Sequence, residues 1–289
     1  MSKRIPALTP QAITRSQVMA NFPKRPRDSH KGLFGTVAVI GGATGMIGAP
    51  LLAARAALKL GAGSVHVGLL AENAPGVDLL QPELMLHSAS TALQLRGVNV
   101  LAVGCGLGVD MAAQKILHAA LNSKAALVLD ADALNILALH ADLRTLLSAR
   151  ETACVLTPHP GEAARLLACS TKEIQPDRVA AGIQLTRQLR CSVVLKGADS
   201  LCVTRDGKLF VNTTGNPGMS SAGMGDVLTG MIAAFIAQGL TADNAMLLAV
   251  YLHGAAGDAL AKQGITTGMT ATEVTEWARP LLNQWRGLS

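Results

Sequence analysis

Asp226 follows the run Asn216-Pro217-Gly218-Met219-Ser220-Ser221-Ala222-Gly223-Met224-Gly225 and precedes the apolar stretch that starts at Val227. Small residues at 222, 223 and 225 let successive backbone N–H groups turn toward one point. A helix opening near Asp226 adds free N–H groups and the positive end of its dipole. The product is a hole for an anion such as a phosphate, with Gly223 and Gly225 in its wall and a carboxylate at its edge. A carboxylate destabilises a phosphate lying against it, so it is better used to take a proton from the group that attacks that phosphate. Asp is also a good helix N-cap after a glycine turn, and the residues alone leave both roles open.

Other polar turns close apolar runs elsewhere: Gly41-Gly42-Ala43-Thr44-Gly45, Gly104-Cys105-Gly106-Leu107-Gly108, Asp130-Ala131-Asp132, Thr157-Pro158-His159-Pro160-Gly161-Glu162 and Lys196-Gly197-Ala198-Asp199. Gly42, Gly45 and Gly48 miss the dinucleotide spacing, and Glu72 lies past the next apolar run, which disfavours a Rossmann dehydrogenase. Gly48, Ala49 and Ala53 would let a large ligand lie against a helix start, or would let that helix pack closely on a sheet. Gly106 and Gly108 suit close backbone contact with a flat or phosphorylated ligand. Asp130 is a candidate site carboxylate, whereas Asp132, just before Ala133-Leu134-Asn135, reads as a helix cap. His159, fixed between two prolines, and Glu162 are candidates for binding a polar ligand, with no partner expected for the ring. Lys196 ends an apolar run where a cation would meet a phosphate. His253 and Asp258 are five residues apart, roughly 140° around a helix, and do not form a pair. The other histidines have no marked setting, and no protein ligand set for a metal emerges.

These turns need a scaffold that brings them to one edge. The runs 36–40, 64–70, 98–103, 126–129, 153–156 and 192–195 are rich in β-branched and other apolar residues and mostly alternate with Ala- and Leu-rich segments of helical spacing. That pattern predicts a mostly parallel sheet with helices on both faces, its ligands beyond the carboxyl ends of the strands. Residues 201–204 and 209–212 flank Asp206-Gly207 and predict an antiparallel hairpin at the edge. Long helices are expected over 227–238, 242–262 and 270–285.

The chain has 289 residues, 49% hydrophobic and 15% charged, a composition that favours an ordered globular protein. Residues 1–31 hold seven Lys or Arg and one acid, Asp28, which accounts for the whole net charge of +6. The expected organisation is a basic arm over 1–29 and a single domain over 30–289. The arm reads as a solvated leader or a weak nucleic-acid contact, and with seven aromatic residues in the chain nucleic acid is disfavoured. The absence of a membrane-length apolar run or an apolar leader predicts a cytoplasmic protein without a membrane partner. Five scattered cysteines read as buried thiols.

Eight blocks occur in one order: His30-Lys31-Gly32-x-x-Gly35, Gly41-Gly42 with Gly48-Ala49, Gly104-x-Gly106-x-Gly108, Asp130-Ala131-Asp132-Ala133-Leu134-Asn135, Thr157-Pro158-His159-Pro160-Gly161-Glu162, Leu195-Lys196-Gly197, Gly215-Asn216-Pro217-Gly218-Met219 with Gly223-x-Gly225-Asp226, and His253-Gly254-x-x-Gly257-Asp258. In them the chain resembles the ADP/ATP-dependent NAD(P)H-hydrate dehydratases of the ribokinase-like superfamily. The resemblance implies a three-layer α/β/α ribokinase-like fold. It also implies dehydration of the (S)-epimer of hydrated NADH or NADPH (NADHX or NADPHX), with ADP as co-substrate, ATP as a possible substitute, and Mg²⁺.

By carry-over, Asp226 is the base, and Ala49, Gly106, Gly108 and His159 line the hydrate pocket. Lys196, Gly197, Ala198, Asp199, Ser200, Gly223 and Gly225 would hold the adenine nucleotide. Asp130, Asn135, Glu162 and Asn216 are further candidates within the matching blocks. Met224 stands where the family usually has Thr or Ser. A separate epimerase acting in trans and a homotetramer or other homo-oligomer are also implied. The alternatives are a ribokinase-like kinase of a small alcohol and a nucleotide-sensing or nucleic-acid-binding protein without chemistry.

Overall fold

The computed structural model describes residues 9–287. Among them ten strands form one sheet: β1 (Gln11–Ala12), β2 (Thr36–Gly41), β3 (Ser64–Leu69), β4 (Met85–Ser88), β5 (Val100–Val103), β6 (Ala126–Leu129), β7 (Cys154–Leu156), β8 (Ser192–Leu195), β9 (Leu201–Val203) and β10 (Leu209–Val211). Their order is β1-β10-β9-β8-β7-β6-β5-β2-β3-β4. β9 runs antiparallel to both β8 and β10, and the remaining pairs are parallel. The hairpin turns at Asp206-Gly207, where Gly207 takes φ 86 and its N–H donates to Thr204 O at 2.8 Å.

Successive side chains of a strand enter opposite layers, so a strand covered on both faces must be apolar throughout. In β2, Val37 and Val39 join the core under the helices Gly48–Lys59, Met224–Ala237, Ala242–Lys262 and Ala271–Trp285, while Ala38 and Ile40 join the core under Met111–Leu121, Asp132–Leu139, Pro160–Leu166 and Arg178–Leu189. This is the expected three-layer α/β/α architecture with a mostly parallel sheet. Gly230 abuts the backbone of Ala53, where a Cβ has no room, so Ala53 serves the close approach of two helices and touches no ligand space. No helix among the described residues is long and apolar enough to cross a membrane. Cys105, Cys154, Cys191 and Cys202 are buried free thiols, as expected, whereas Cys169 is only half-buried.

The N-terminal arm departs from expectation. β1 pairs with β10, and Ile13 and Val18 are buried. The Arg15 guanidinium carbon lies 5.3 Å from the Trp285 ring centroid and that of Arg25 lies 3.7 Å from the Phe34 centroid, while Arg25 Nη2 donates to Gln238 Oε1 at 2.9 Å. From Gln11 onward the segment therefore completes the sheet edge, and two of its arginines stack on aromatic rings, as such side chains do when their stems are covered. Lys3 and Arg4 lie outside the described residues.

The strand order reverses direction at β2, with β3 and β4 on one side and β5 onward on the other. The carboxyl ends of β2 and β5 thus open a crevice at the switch point.

Candidate functional site

The turns after β2 and β5 are tied together: Gly42 N–H donates to Cys105 O at 3.2 Å, and Ala43 N–H to Gly106 O at 2.7 Å. Gly106 and Gly108 take φ 57 and 77, a region that costs other residues strain. A Cβ on Gly106 would lie 3.3 Å from the Ala49 Cβ, so these two expected residues face each other. Gly108 N–H donates to Asp132 Oδ2 at 2.9 Å, and Asn135 Nδ2 donates to Asp132 Oδ1 at 3.2 Å. Asp132 is therefore not the cap the sequence suggests. Ala131, at φ 48, occupies the cap position without a side-chain bond, and Asp132 in the first helical turn pins the glycine loop instead.

Asp226 is also not an N-cap. The helix begins at Met224 behind Gly223 at φ 87, which puts Asp226 in its first turn with a side chain free for other work. Its carboxylate, the Cys105 thiol and the Asp130 carboxylate lie within 4.8 Å of one another. Burial pushes the Asp226 pKa up to about 6; the Cys105 thiol and Lys196 pull it down, and the charges of Asp130 and Asp132 push it up. Burial also drives the Cys105 thiol well above its usual range, further raised by the Asp226 and Asp130 charges, so it stays protonated beside Asp226. Cys105 escaped the sequence reading, although its place inside Gly104-x-Gly106 was the available signal.

Asp130 is buried and accepts from Lys196 Nζ at 2.7 Å and from Thr229 Oγ1 at 3.0 Å. Burial raises its pKa, but the Lys196 charge and the hydrogen bonds from Lys196, Thr157 and Thr229 together outweigh that and hold the carboxyl below its ordinary value. Lys196 Nζ also approaches Glu162 Oε2 at 4.0 Å. Glu162 is buried, which raises its pKa. Its two oxygens meet the His159 N–H at 2.8 Å and His159 Nε2 at 3.2 Å. The ring thus has a carboxylate partner that the sequence did not reveal. His159 Nδ1 accepts from Gly161 N–H at 3.0 Å, capping Pro160–Leu166, so Nε2 carries the proton. Burial, then the Lys196 and Arg165 charges, lower its pKa and keep the ring neutral near pH 7.

A cavity of about 600 Å³ opens at the start of the same helix, lined by Met224, Gly225 and Leu228 but not by the Asp226 side chain. Lys196, Gly197, Ala198, Asp199, Ser200, Asn216 and Gly225 line it, as do Asn212, Val250 and His253. Gly225 has no spare room: a Cβ would lie 3.2 Å from Lys196 Nζ and 3.3 Å from Asp130 Oδ2. Gly223 is absent from the lining and packs at the helix start beside Leu52 and Ala271. Ala49, Gly106, Gly108, His159, Asp130, Asn135 and Glu162 do not line the cavity either.

Three supports of this cavity were not read from the sequence. Arg178 donates to the carbonyls of Ala198 at 2.6 Å and Leu195 at 3.1 Å, holding the loop that contains Gly197. Asp258 accepts from Gly215 N–H at 3.0 Å and Asn216 Nδ2 at 3.1 Å. His253 is half-buried with its pKa pushed down to about 4 by burial and by Lys196, and its buried Nε2 has no partner among the described residues.

The Cys105, Asp130 and Asp226 group offers a protonated thiol, a carboxylate engaged by Lys196, and one uncommitted carboxylate. That set is too small for an all-protein cage but fits Mg²⁺ held chiefly by phosphate oxygens and water, the usual arrangement for this ion.

The chain is similar to known proteins over most of its length. It is 43% identical to the ADP-dependent (S)-NAD(P)H-hydrate dehydratase of Neisseria meningitidis, covering 91% of this chain and 90% of that protein. It is 39% identical to the bifunctional NAD(P)H-hydrate repair enzyme of Escherichia coli, but spans only 50% of that longer protein. A crystal structure of the ADP/ATP-dependent NAD(P)H-hydrate dehydratase of Bacillus subtilis, co-crystallised with ATP/Mg²⁺, superposes with a TM-score of 0.86 at 29% identity, covering 96% of this chain and 100% of that one. A ribokinase-like superfamily protein of Enterococcus faecalis superposes with a TM-score of 0.84 at 27% identity, over 95% of this chain and 96% of that one. With that fold, and with the family model for NAD(P)H-hydrate dehydratase matching residues 37–279, the chain belongs to the NAD(P)H-hydrate dehydratase family.

Proposed function

We propose that this protein dehydrates the (S)-hydrates of NADH and NADPH back to the reduced dinucleotides, consuming ADP and releasing AMP and phosphate. The observation that carries the reading is Asp226 in the first turn of the helix behind Gly223: a carboxylate with a pKa near 6, next in the chain to Gly225, which together with Lys196 to Ser200 walls the cavity. The relatives named for this activity support it.

The hydroxyl of a hydrated nicotinamide ring is a poor leaving group. Asp226, ionised at neutral pH, takes the proton of that hydroxyl, and the oxygen attacks the terminal phosphoryl group of ADP as the bond to the AMP oxygen breaks. The N–H groups at the start of the Met224 helix stabilise the charge on the transferring group. The ring nitrogen then pushes out phosphate, and loss of a proton from the neighbouring ring carbon restores the double bond. Asp226, with phosphate oxygens, would hold Mg²⁺, which supplies charge neutralisation at the phosphates. Lys196 is pinned by Asp130, so its ammonium has a fixed position at the cavity wall. Ala49, Gly106, Gly108 and His159 bind the hydrate, and Lys196 to Ser200 with Gly225 bind the nucleotide. Asn216, held by Asp258, shapes the nucleotide side, while Asp130, Glu162 and Asn135 position their neighbours. ATP replaces ADP, in line with the co-crystallised Bacillus relative. The protein works in the cytoplasm as a homo-oligomer and depends on an epimerase on another chain for the (R)-hydrate.

The test is to incubate the protein with (S)-hydrate, Mg²⁺ and either nucleotide, and to follow both the return of dihydronicotinamide absorbance and the phosphate released. Equal amounts of reduced cofactor, AMP and phosphate are expected. A stable phosphorylated product without phosphate release would make the protein a kinase instead.

A further inference from the structure

Arg165 is exposed on the helix that His159 caps, and its guanidinium is held in place: Nε donates to Asn135 Oδ1 at 2.9 Å. Asn135 donates in turn to Asp132, whose other oxygen accepts from Gly108 N–H. A chain of hydrogen bonds thus fixes an arginine relative to the glycine loop of the crevice. A Cβ on Gly161 would lie 3.9 Å from Arg165 Nη1, so the fork is directed back along the helix toward its His159 end. Among the described residues neither Nη group donates to a protein atom, which leaves two N–H-bearing nitrogens facing solvent. An arginine anchored through Nε with both Nη groups outward presents the donor pair that phosphate oxygens accept.

The other charges nearby are already committed. Lys196 is engaged by Asp130, His159 is kept neutral, and both oxygens of Asp132 accept hydrogen bonds. Arg165 does not line the 600 Å³ cavity, so a nucleotide bound there does not account for it. A dinucleotide whose ring reaches Asp226 past Gly106 and His159 must leave its own phosphates further out, and those dianionic groups need a cation.

We propose that Arg165 binds a phosphate group of the hydrated dinucleotide. The proposal rests on the reading of the Ala49, Gly106 and His159 side as the hydrate site. The phosphate is either the pyrophosphate shared by both dinucleotides or the 2′-phosphate that only the NADPH form carries, and binding distinguishes them. NADH, NADPH and ADP are titrated separately into the wild-type protein, Arg165→Gln and Arg165→Lys, with calorimetry as the readout. Arg165→Gln should raise the dinucleotide Kd roughly tenfold or more, the size expected when a charged hydrogen bond is lost. Arg165→Lys should recover only part of the loss, because an ammonium lacks the fork. The ADP Kd should not move. Equal losses for NADH and NADPH identify the pyrophosphate, and a loss confined to NADPH identifies the 2′-phosphate. Dinucleotide affinities within about twofold of wild type would overturn the proposal, since charged contacts contribute more than that. So would a parallel fall in ADP affinity, which would mark a structural role. A wild-type protein that turns over no hydrate, while Arg165→Gln still loses dinucleotide affinity, would sink the dehydratase reading and leave the phosphate contact standing.

Discussion

The protonated Cys105 thiol lies beside the Asp226 carboxylate, and together with the Asp130 carboxylate the three groups fit within 4.8 Å. Cys105 belongs to the turn after β5 and Asp226 to the helix whose start lines the 600 Å³ cavity, so the pair links the switch-point crevice to that cavity's wall. Its hydrogen bond lowers the Asp226 pKa against a larger rise from burial. Cys105→Ala should move the acid limb of the kcat profile to higher pH, because the base then needs a higher pH to ionise. Cys105→Ser keeps a donor and should leave the limb near its wild-type position. A pH profile of kcat for the three proteins checks this.

Asp226→Asn should lower turnover by roughly 10² to 10⁴, the usual contribution of a positioned base. The wild-type kcat should fall as pH drops through about 6, since protonation removes the base. Affinity for ADP should hold or rise in the variant, because a negative charge beside the phosphates is gone. Steady-state rates combined with direct ADP binding measure both effects. Turnover within about threefold of wild type would remove Asp226 from the base role.

His159→Ala should act twice. The ring would no longer contact the hydrate, raising its KM. The helix Pro160–Leu166 would also lose its cap, at a cost of about 1 kcal/mol. In a chain of this size that corresponds to a fall in Tm of roughly 1–2 °C. Thermal unfolding and hydrate kinetics separate the two effects, and an unchanged hydrate KM would confine the residue to the cap.

Lys196→Met leaves Asp130 buried without its cation. Breaking a buried pair from one side costs about 3–5 kcal/mol. In the wild type the Asp130 pKa is held below 3.8, so the pair's stabilisation is present above that pH and lost as pH falls through the lower folded value. In the variant, burial without Lys196 raises the Asp130 pKa, so the deficit should be largest near neutrality and shrink as the medium is acidified. Denaturant unfolding of both proteins at pH 7 and at pH 5 reads the difference.

Much of the scaffold is written in local pattern. A strand buried on both faces must be apolar throughout, and so β2, β3, β5, β6, β7 and β8 were visible as runs, and Asp206-Gly207 as a hairpin turn. β4, with its sequence Met-Leu-His-Ser and two exposed residues, carries no such run. β1 is two residues held by β10, and its arm was read by its charge, although Ile13 and Val18 anchor it. Residue type and spacing also singled out Asp226, His159, Lys196 and the glycine turns. What those residues touch was not written there, because each partner arrives from a distant strand or helix. Lys196 meets Asp130 across three neighbouring strands, Asp132 turns from an apparent cap into the anchor of Gly108, and Cys105 reaches Asp226 only because the Met224 helix packs over β5. The sequence determined which groups were present to do chemistry. The tertiary structure decided which were paired and which were left free, because burial and opposite charge act through space and not along the chain.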